Sequence, residues 1–461
     1  MVESEKIERK KSIDSDVRKM SLLKLGWPVF VQCLLSLCLG YVDTLMISRY
    51  SSTAVGGLGN ANQILGFLTL AFTVISSAAG VIIAQYIGAG LKNKLSEIYT
   101  VSIFFNLILS GIISILIFVG CDAILGIMRV PAFMRPDAKA YIEIVGGYMF
   151  LQAIIDIFSQ IFRNNGRTKI GMLIALGMNI INIAGNFMFL YGPLKIFGLG
   201  VEGVAISTTL SRVVGVTISI IYFRYKIEGH ISIKYLCPFP KNVLVKLLKL
   251  GIPTAGENIS YNIAQLFILA FVNSFDSEII TNTKTYATII GNFAYLFSVS
   301  SAVATAIVVG HAVGGEDYDY AYKKVLTTLK RALIVSISIA VANCIISPFT
   351  IGLFTNNQEI ISLGGKVLFI CIFLEVGRTA NLVIINSMRA AGDIKFPTFL
   401  GMASMWGVAV LFAYILGVYM NMGLIGIWIA MAMDEILRGV VVYVRWHRGG
   451  WRNRRVVDKM M

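Results

Sequence analysis

The residues best placed to do chemistry in this chain are acids and amides set inside apolar sequence. Asp43 is the single formal charge in the run Leu25–Ile47. A stretch of ~20 apolar residues is long enough to cross a bilayer as a helix. A carboxylate near the middle of such a helix costs roughly 2.5–3.5 kcal/mol, so it marks an ion or substrate path unless water solvates it at the interface. Asn179, Asn182 and Asn186 stand at i, i+3 and i+7 of another apolar run, which puts them on one helical face. At ~1.5 Å per residue, Asn186 lies about 24 Å along its run and Asp43 about 27 Å along its own. A carboxylate and amide oxygens at one depth suit a Na⁺ site formed by Asp43, Asn182 and Asn186. They equally suit a hydrogen-bonded proton acceptor. For Asn179 above all, interhelical hydrogen bonding alone, about 0.6 kcal/mol per bond, is the competing role.

The second half of the chain offers a different set. Glu375 and Arg378 are three apart and therefore neighbours on one helix face. Glu257 lies about two turns into its run, at 3.6 residues per turn. A Glu257–Arg378–Glu375 network is expected if their helices meet there, with one net negative charge left for a proton or a cationic substrate. The alternative is a static ion pair that fixes packing. Asp156 is a further intramembrane acid, a candidate for the cavity of the first half. Arg212 and Arg438 fall mid-run. Asp434 and Glu435 can compensate Arg438 locally, whereas Arg212 has no acid within a turn and must find one on another helix or in water.

The elements that position these side chains follow from hydropathy. Of 461 residues, 56% are hydrophobic and 14% charged, with mean hydropathy +0.76. Soluble domains carry nearer 25% charged residues. Apolar runs fall at roughly 25–48, 57–87, 98–120, 140–162, 170–191, 199–223, 250–273, 285–311, 330–350, 364–388, 397–419 and 423–444. The expected fold is therefore an all-α polytopic membrane protein of twelve transmembrane helices. The runs 57–87 and 285–311 exceed the bilayer's needs and should tilt or project. With the N-terminus inside, 30 of the 40 Lys and Arg lie in inner segments, seven in outer loops and three within spans. The positive-inside rule then puts both termini in the cytoplasm, and anionic lipid accounts for the net +15 without any nucleic acid. No cleaved signal peptide is expected, since the first apolar run is long enough to stay as a helix.

One offset recurs along the chain. Phe162–Lys169 aligns with Met388–Lys395 at 226, as do Gln85–Gly90 with His311–Glu316 and Arg212 with Arg438, while Gly26-Trp-Pro28 matches Gly251-Ile-Pro253 at 225. Six spans per half is an even number, so the repeat is parallel, about an axis along the membrane normal. The expected organisation is a tail over 1–24, a six-helix bundle over 25–223, a cytoplasmic linker over 224–249, a second bundle over 250–445 and a basic tail over 446–461. A central cleft between the two bundles would permit alternating access.

Taken together, certain stretches resemble the multidrug and toxic compound extrusion (MATE) family. They are Tyr41-Val-Asp-Thr-Leu-Met-Ile-Ser-Arg49 with Gly56-Gly-Leu-Gly-Asn60, Ala84-Gln-Tyr-Ile-Gly-Ala-Gly90, Arg163-Asn-Asn-Gly-Arg-Thr-Lys169, the Asn-rich fifth run, Gly251-Ile-Pro253 with Glu257, and Arg389-Ala-Ala-Gly-Asp-Ile-Lys-Phe-Pro397. The resemblance implies a secondary active exporter of small amphipathic, usually cationic compounds, coupled to inward H⁺ or Na⁺ and needing no cofactor. It implies a coupling role for Asp43, Asn182, Asn186 and Glu257. Two departures stand out: some members have Asp where Asn186 stands, and some have an acid where Arg378 stands. A multi-pass protein of a prokaryotic plasma membrane, working as a monomer, is expected. A flippase for an amphipathic lipid-linked or anionic substrate is the neighbouring alternative, favoured if Arg212 and Arg438 face the cleft and disfavoured if they pair with acids inside a bundle. No paired histidines, Gly-Lys phosphate loop or Ser/His/Asp grouping supports an enzyme.

Overall fold

The computed structural model describes residues 21–128 and 130–457. Most of the expected N-terminal tail, the last residues of the basic tail and Arg129 of an outer loop lie outside them. Twelve helical segments account for the twelve runs, with no strand among the described residues. They are α1 (Leu22–Ser48), α2 (Ser52–Gly88), α3 (Leu95–Ile127), α4 (Met149–Asn164), α5 (Thr168–Leu190), α6 (Gly200–Lys226), α7 (Lys241–Asn273), α8 (Glu278–Gly314), α9 (Tyr318–Ile345), α10 (Gln358–Ala390), α11 (Lys395–Ser404) and α12 (Gly423–His447). Among the described residues nine of the spans are long and apolar enough to cross a membrane. A tenth is a broken span in which Arg135–Gly146 meets α4 at 47°. The other two, α7 and α12, are diluted by the polar groups the second half uses, among them Glu257, Asp434, Glu435 and Arg438.

Several boundaries differ from the apolar runs. The repeat-related α2 and α8 each reach 37 residues, about 55 Å at ~1.5 Å per residue, well over a ~30 Å hydrocarbon core. Helix α7 starts at Lys241, so the end of the expected linker is already helical. Helix α11 continues beyond Ser404 as two π-helical stretches, Met405–Val410 and Ala413–Tyr419.

The chain divides into two compact units. One holds Trp27–Ile87 and Leu91–Ala255; the other holds Gly256–Met461 with Gly88–Gly90 and the residues up to Gly26, so far as these are described. Within the first unit, α3 shows how a membrane helix sorts its faces. Ser102, Asn106, Ser110 and Ser114, spaced by four, are all buried. Asn106 donates to the Ala153 carbonyl at 2.8 Å, and Ser114 Oγ accepts the free amide of Phe150 at the start of α4. Small and polar residues let membrane helices approach and bond, because lipid gives apolar side chains no reason to leave it. The opposite face carries Ile115, Leu116 and Val119, all exposed. In the second unit a hydroxyl node does the same work: Ser298 on α8, Thr379 on α10 and Ser336 on α9 join at 2.9 and 2.8 Å.

Helices α1 and α5 run side by side in the same direction. Asn179 Nδ2 donates to the Leu35 carbonyl at 2.9 Å, Asn186 to Asp43, and the Tyr191 hydroxyl to the Met46 carbonyl. The bonds advance together along both helices, as they must for two odd-numbered spans. The repeat preserves this pairing: Glu257, Ser260 and Phe271 of α7 meet Gly401, Trp406 and Tyr414 in the same sense.

Candidate functional site

In the first unit the expected pair forms. Asp43 is 8% exposed and Asn182 and Asn186 are fully buried. Asn186 Nδ2 donates to Asp43 Oδ1 at 2.6 Å and to Asn182 Oδ1 at 3.1 Å, and Asn182 Nδ2 donates to Thr208 Oγ1 at 2.9 Å. The Thr208 hydroxyl in turn donates to the Val204 carbonyl of its own helix at 3.0 Å. Buried Tyr141 lies against this chain, within electrostatic reach of Asp43 and Arg212. The Asn186 amide is thus the donor directed at the carboxylate, braced by Asn182, and Asn186 Oδ1 is left without a partner. Asp43 has no cationic partner among the described residues. Thr208 and Tyr141 escaped the sequence reading, because a threonine in a helix and a tyrosine in a broken span carry no charge pattern to flag them.

The remaining polar residues of this unit lie apart from that chain. Asn179 spends its amide on the Leu35 backbone. Asp156 accepts from Gln152, one turn away, at 2.9 Å. Arg212 forms no ion pair among the described residues, and its Nη1 is buried without a hydrogen-bond partner; Asp156 and Tyr141 are its nearest charged or ionisable influences. Arg163 Nη2 donates to Gln32 Oε1 at 2.8 Å, joining α4 to α1.

The second unit corrects one expectation. Glu375 and Arg378 do pair, at 2.7 Å, but Glu257 is not their partner. It binds Arg389 at the end of α10, Nη2 to Oε2, at 2.6 Å. Three turns of helix separate Arg378 from Arg389, and Glu257 of α7 stands at the level of the far arginine. The true third member is Glu435 of α12, 3.8 Å from Arg378 Nε. Glu435 also contacts Arg438 at 3.2 Å and accepts from Asn381 at 2.9 Å. Arg438 bonds Asp434 at 2.5 Å, and Asp434 accepts from the Ser404 hydroxyl. Tyr295 lies under the Arg378 guanidinium at 5.6 Å. A close helix crossing makes this network possible: a Cβ on Gly377 would sit 2.4 Å from the Ile436 backbone nitrogen. Three acids face two arginines, and Glu375 Oε2, in a residue only 2% exposed, has no partner.

Three comparisons place the chain. The MatE family model matches residues 28–188 and again 253–415, so one description fits both halves, starting 225 residues apart. The chain belongs to the MATE family. An uncharacterized transporter, YisQ, of Bacillus subtilis is 39% identical over 94% of this chain and 95% of its own length. A probable multidrug resistance protein NorM of Thermotoga maritima is 27% identical over 96% and 95%. Among solved structures, an outward-facing multidrug resistance MATE family transporter superposes with TM-score 0.87 at 20% identity, covering 95% of this chain and 97% of that one. A Pyrococcus furiosus transporter of the MOP superfamily, described as having a binding pocket of reverse polarity that suggests a different function, superposes with TM-score 0.86 over the same shares. The all-helical, twelve-segment MATE fold read from the sequence is thus the fold of the chain, and its work is transport across a membrane.

Within this MATE transporter the two halves carry unlike chemistry on like positions. Gln32 matches Glu257 at 225 and the offset of 226 relates Arg163 to Arg389, so the same interhelical clamp sets its arginine on an amide in one half and on a carboxylate in the other. The offset of 226 also relates Thr208 and Thr209 to Asp434 and Glu435, so Arg438 has two acids where Arg212 has two threonines. Among the described residues no cluster of three His, Cys, Asp or Glu side chains could hold a metal ion.

Proposed function

We propose that the protein exports small amphipathic cations in exchange for protons, with Asp43 as the carboxylate that takes up and releases the proton. The observation that carries this reading is that Asp43 is buried with the Asn186 amide as its donor and, among the described residues, no cationic partner. A carboxylate without a countercharge is costly to keep ionised once water is withdrawn, so it takes a proton or must be reached by one. Asn186 turns its nitrogen, not its oxygen, toward Asp43, which suits a carboxylate alternating between charged and protonated forms better than an oxygen cage around Na⁺. Asn182 and Thr208 hold Asn186 in that orientation. Protonation of Asp43 removes the need for a donor, and the unpartnered Asn186 Oδ1 is then available to accept.

In the second half, Glu257 acts as a subsidiary site at which an incoming cation takes the place of Arg389, while the Glu375–Arg378–Glu435–Arg438–Asp434 network carries the excess negative charge. The work is done by alternating access in a prokaryotic plasma membrane, by a monomer with both termini in the cytoplasm. The charge asymmetry of the loops and the bacterial relatives support this location.

A second reading, transport or flipping of an anionic amphiphile, is favoured by two observations. Arg212 keeps a buried N–H without a partner, and Arg378 stands where some members of the family have an acid. Against it, Arg438 is held by two acids inside its own unit. The test is efflux of a lipophilic cation from proteoliposomes under an imposed pH gradient and, separately, an imposed Na⁺ gradient. Drive by the pH gradient alone supports proton exchange; drive by Na⁺ alone overturns it. Failure of both, with Arg212→Gln abolishing movement of an anionic lipid, selects the second reading.

A further inference from the structure

The basic segment after α12 reads in sequence as a tail, yet it is folded back onto the second unit. Trp446 and Trp451 are fully buried and stack at 4.1 Å with planes 5° apart, and Trp451 Nε1 closes onto the Trp446 carbonyl at 3.0 Å. Arg452 bonds Asp319 at 2.9 Å, while Arg455 bonds Glu316 and the Gly314 carbonyl, tying the segment to the turn between α8 and α9. On its other side it meets the turn between α10 and α11. Gly392 there has φ +93°, and a Cβ on it would fall 2.0 Å from the Arg454 carbonyl oxygen. Only glycine admits both that backbone and that approach. Next to it, Asp393 accepts from Arg445 Nε at 2.8 Å, and the Arg445 guanidinium lies over the Phe396 ring at 4.1 Å.

That turn begins at Arg389, the residue bound to Glu257. Arg389 Nε is buried without a partner, so Glu257 is the acid holding the guanidinium, and the turn is tied to the last turn of α10 that carries Arg389, whose carbonyl accepts the Gly392 amide at 2.9 Å. Glu257 lies close against the backbone of Gly401, where a Cβ would fall 2.9 Å from its Oε1. The first half lacks this device. Its Arg163–Gln32 clamp, which has no acid, precedes an equivalent turn at Gly166–Arg167, but Ser219, Ile220 and Tyr225 occupy the positions of Arg445, Trp446 and Trp451.

We propose that Arg445–Val457 is a positioning strap for the charged clamp: by fixing the Gly392–Asp393 turn it holds Arg389 on Glu257, and so sets how readily a cation displaces that arginine. The inference rests on the reading that Glu257 takes part in cation exchange. The strap residues touch neither cation nor substrate; they act through Arg389.

The test uses the full chain in proteoliposomes, measuring transport rate against the concentration of the driving ion. Arg445→Gln and Asp393→Asn each free the turn. The half-saturating ion concentration is expected to fall 3- to 10-fold with the maximal rate changed less than twofold, and the shift is expected to vanish in a Glu257→Gln background. A shift that persists in that background, or loss of maximal rate without any shift, overturns the strap. Should Glu257→Gln itself show the wild-type ion dependence, the role of Glu257 falls, and the strap with it. Hydrogen exchange gives a readout independent of transport. The Gly392 and Asp393 amides, bonded to the Arg389 and Met388 carbonyls at 2.9 Å, should exchange at least 10-fold faster in Arg445→Gln, and an unchanged rate counts against the strap.

Discussion

The two halves of the chain share a scaffold and differ in where they keep charge. In the first, the clamp between its first and fourth spans is Arg163 on Gln32, its sixth-span arginine has threonines for neighbours, and its central acid Asp43 stands among amides. In the second, the clamp is Arg389 on Glu257 and the sixth-span arginine has Asp434 and Glu435 beside it. A buried arginine bonded to an acid is a costly charge made tolerable by its partner; a buried acid bonded to amides is one proton away from neutrality. The duplication therefore supplies two bundles of like geometry, one with its buried arginines on acids and one with its buried acid on an amide. The lesson is that a repeat conserves the places where helices touch more faithfully than the charges placed there.

The largest expected effect comes from the isolated acid. Asp43→Asn should reduce proton-driven efflux from proteoliposomes to the level of empty vesicles, while thermal unfolding in detergent stays within a few degrees of wild type. An equal loss of stability and transport would make Asp43 a packing residue and erase the contrast between the halves.

Next is the paired arginine. Arg438→Gln leaves Asp434 and Glu435 buried without their main cation, and removing one partner of a buried pair costs about 3–5 kcal/mol. A clearly lowered unfolding temperature is expected. The same change at Arg212, which has no ion pair among the described residues to lose, should cost far less. Equal costs at the two positions would break the comparison.

The clamp sharpens it further. Because Gln32 already does in the first half what Glu257 does in the second, Glu257→Gln should fold and insert normally and change transport by several fold through ion dependence. A misfolded Glu257→Gln would show that the charge serves structure. The smallest effect belongs to Asn179→Ala, which removes one interhelical bond to the Leu35 backbone. It should lower stability by about 0.6 kcal/mol and leave transport intact.

Much of this was legible in the sequence, for reasons that can be named. Long apolar runs betray spans because backbone groups in lipid must be satisfied within the helix. Asp43 and Asn186 could be matched because both helices rise in the same direction at a fixed 1.5 Å per residue. Glu375 and Arg378 could be paired because they share one helix face. The partner of Glu257 was not legible, because helix spacing says nothing about which turn of α10 meets α7. Arg389 lies 132 residues away, and its motif carries no sign of that contact. The α12 side of the network was hidden as well, since it depends on two helices touching at Gly377, and no local pattern announces such a crossing. The fourth span hid its break at Ile142–Tyr148, where π-helical backbone and a 47° bend interrupt an otherwise ordinary apolar run. The strap was concealed by composition: a stretch rich in arginine looks solvated until Arg445, Arg452 and Arg455 are seen to end on acids.

The central claim is that Asp43 itself carries the exchanged proton, and counterflow in vesicles tests it most directly. Proteoliposomes with a pH-sensitive dye inside, given an outward gradient of a transported cation, should show a proton movement opposite to substrate in wild type and none in Asp43→Asn. Counterflow of wild-type size in Asp43→Asn would contradict the account.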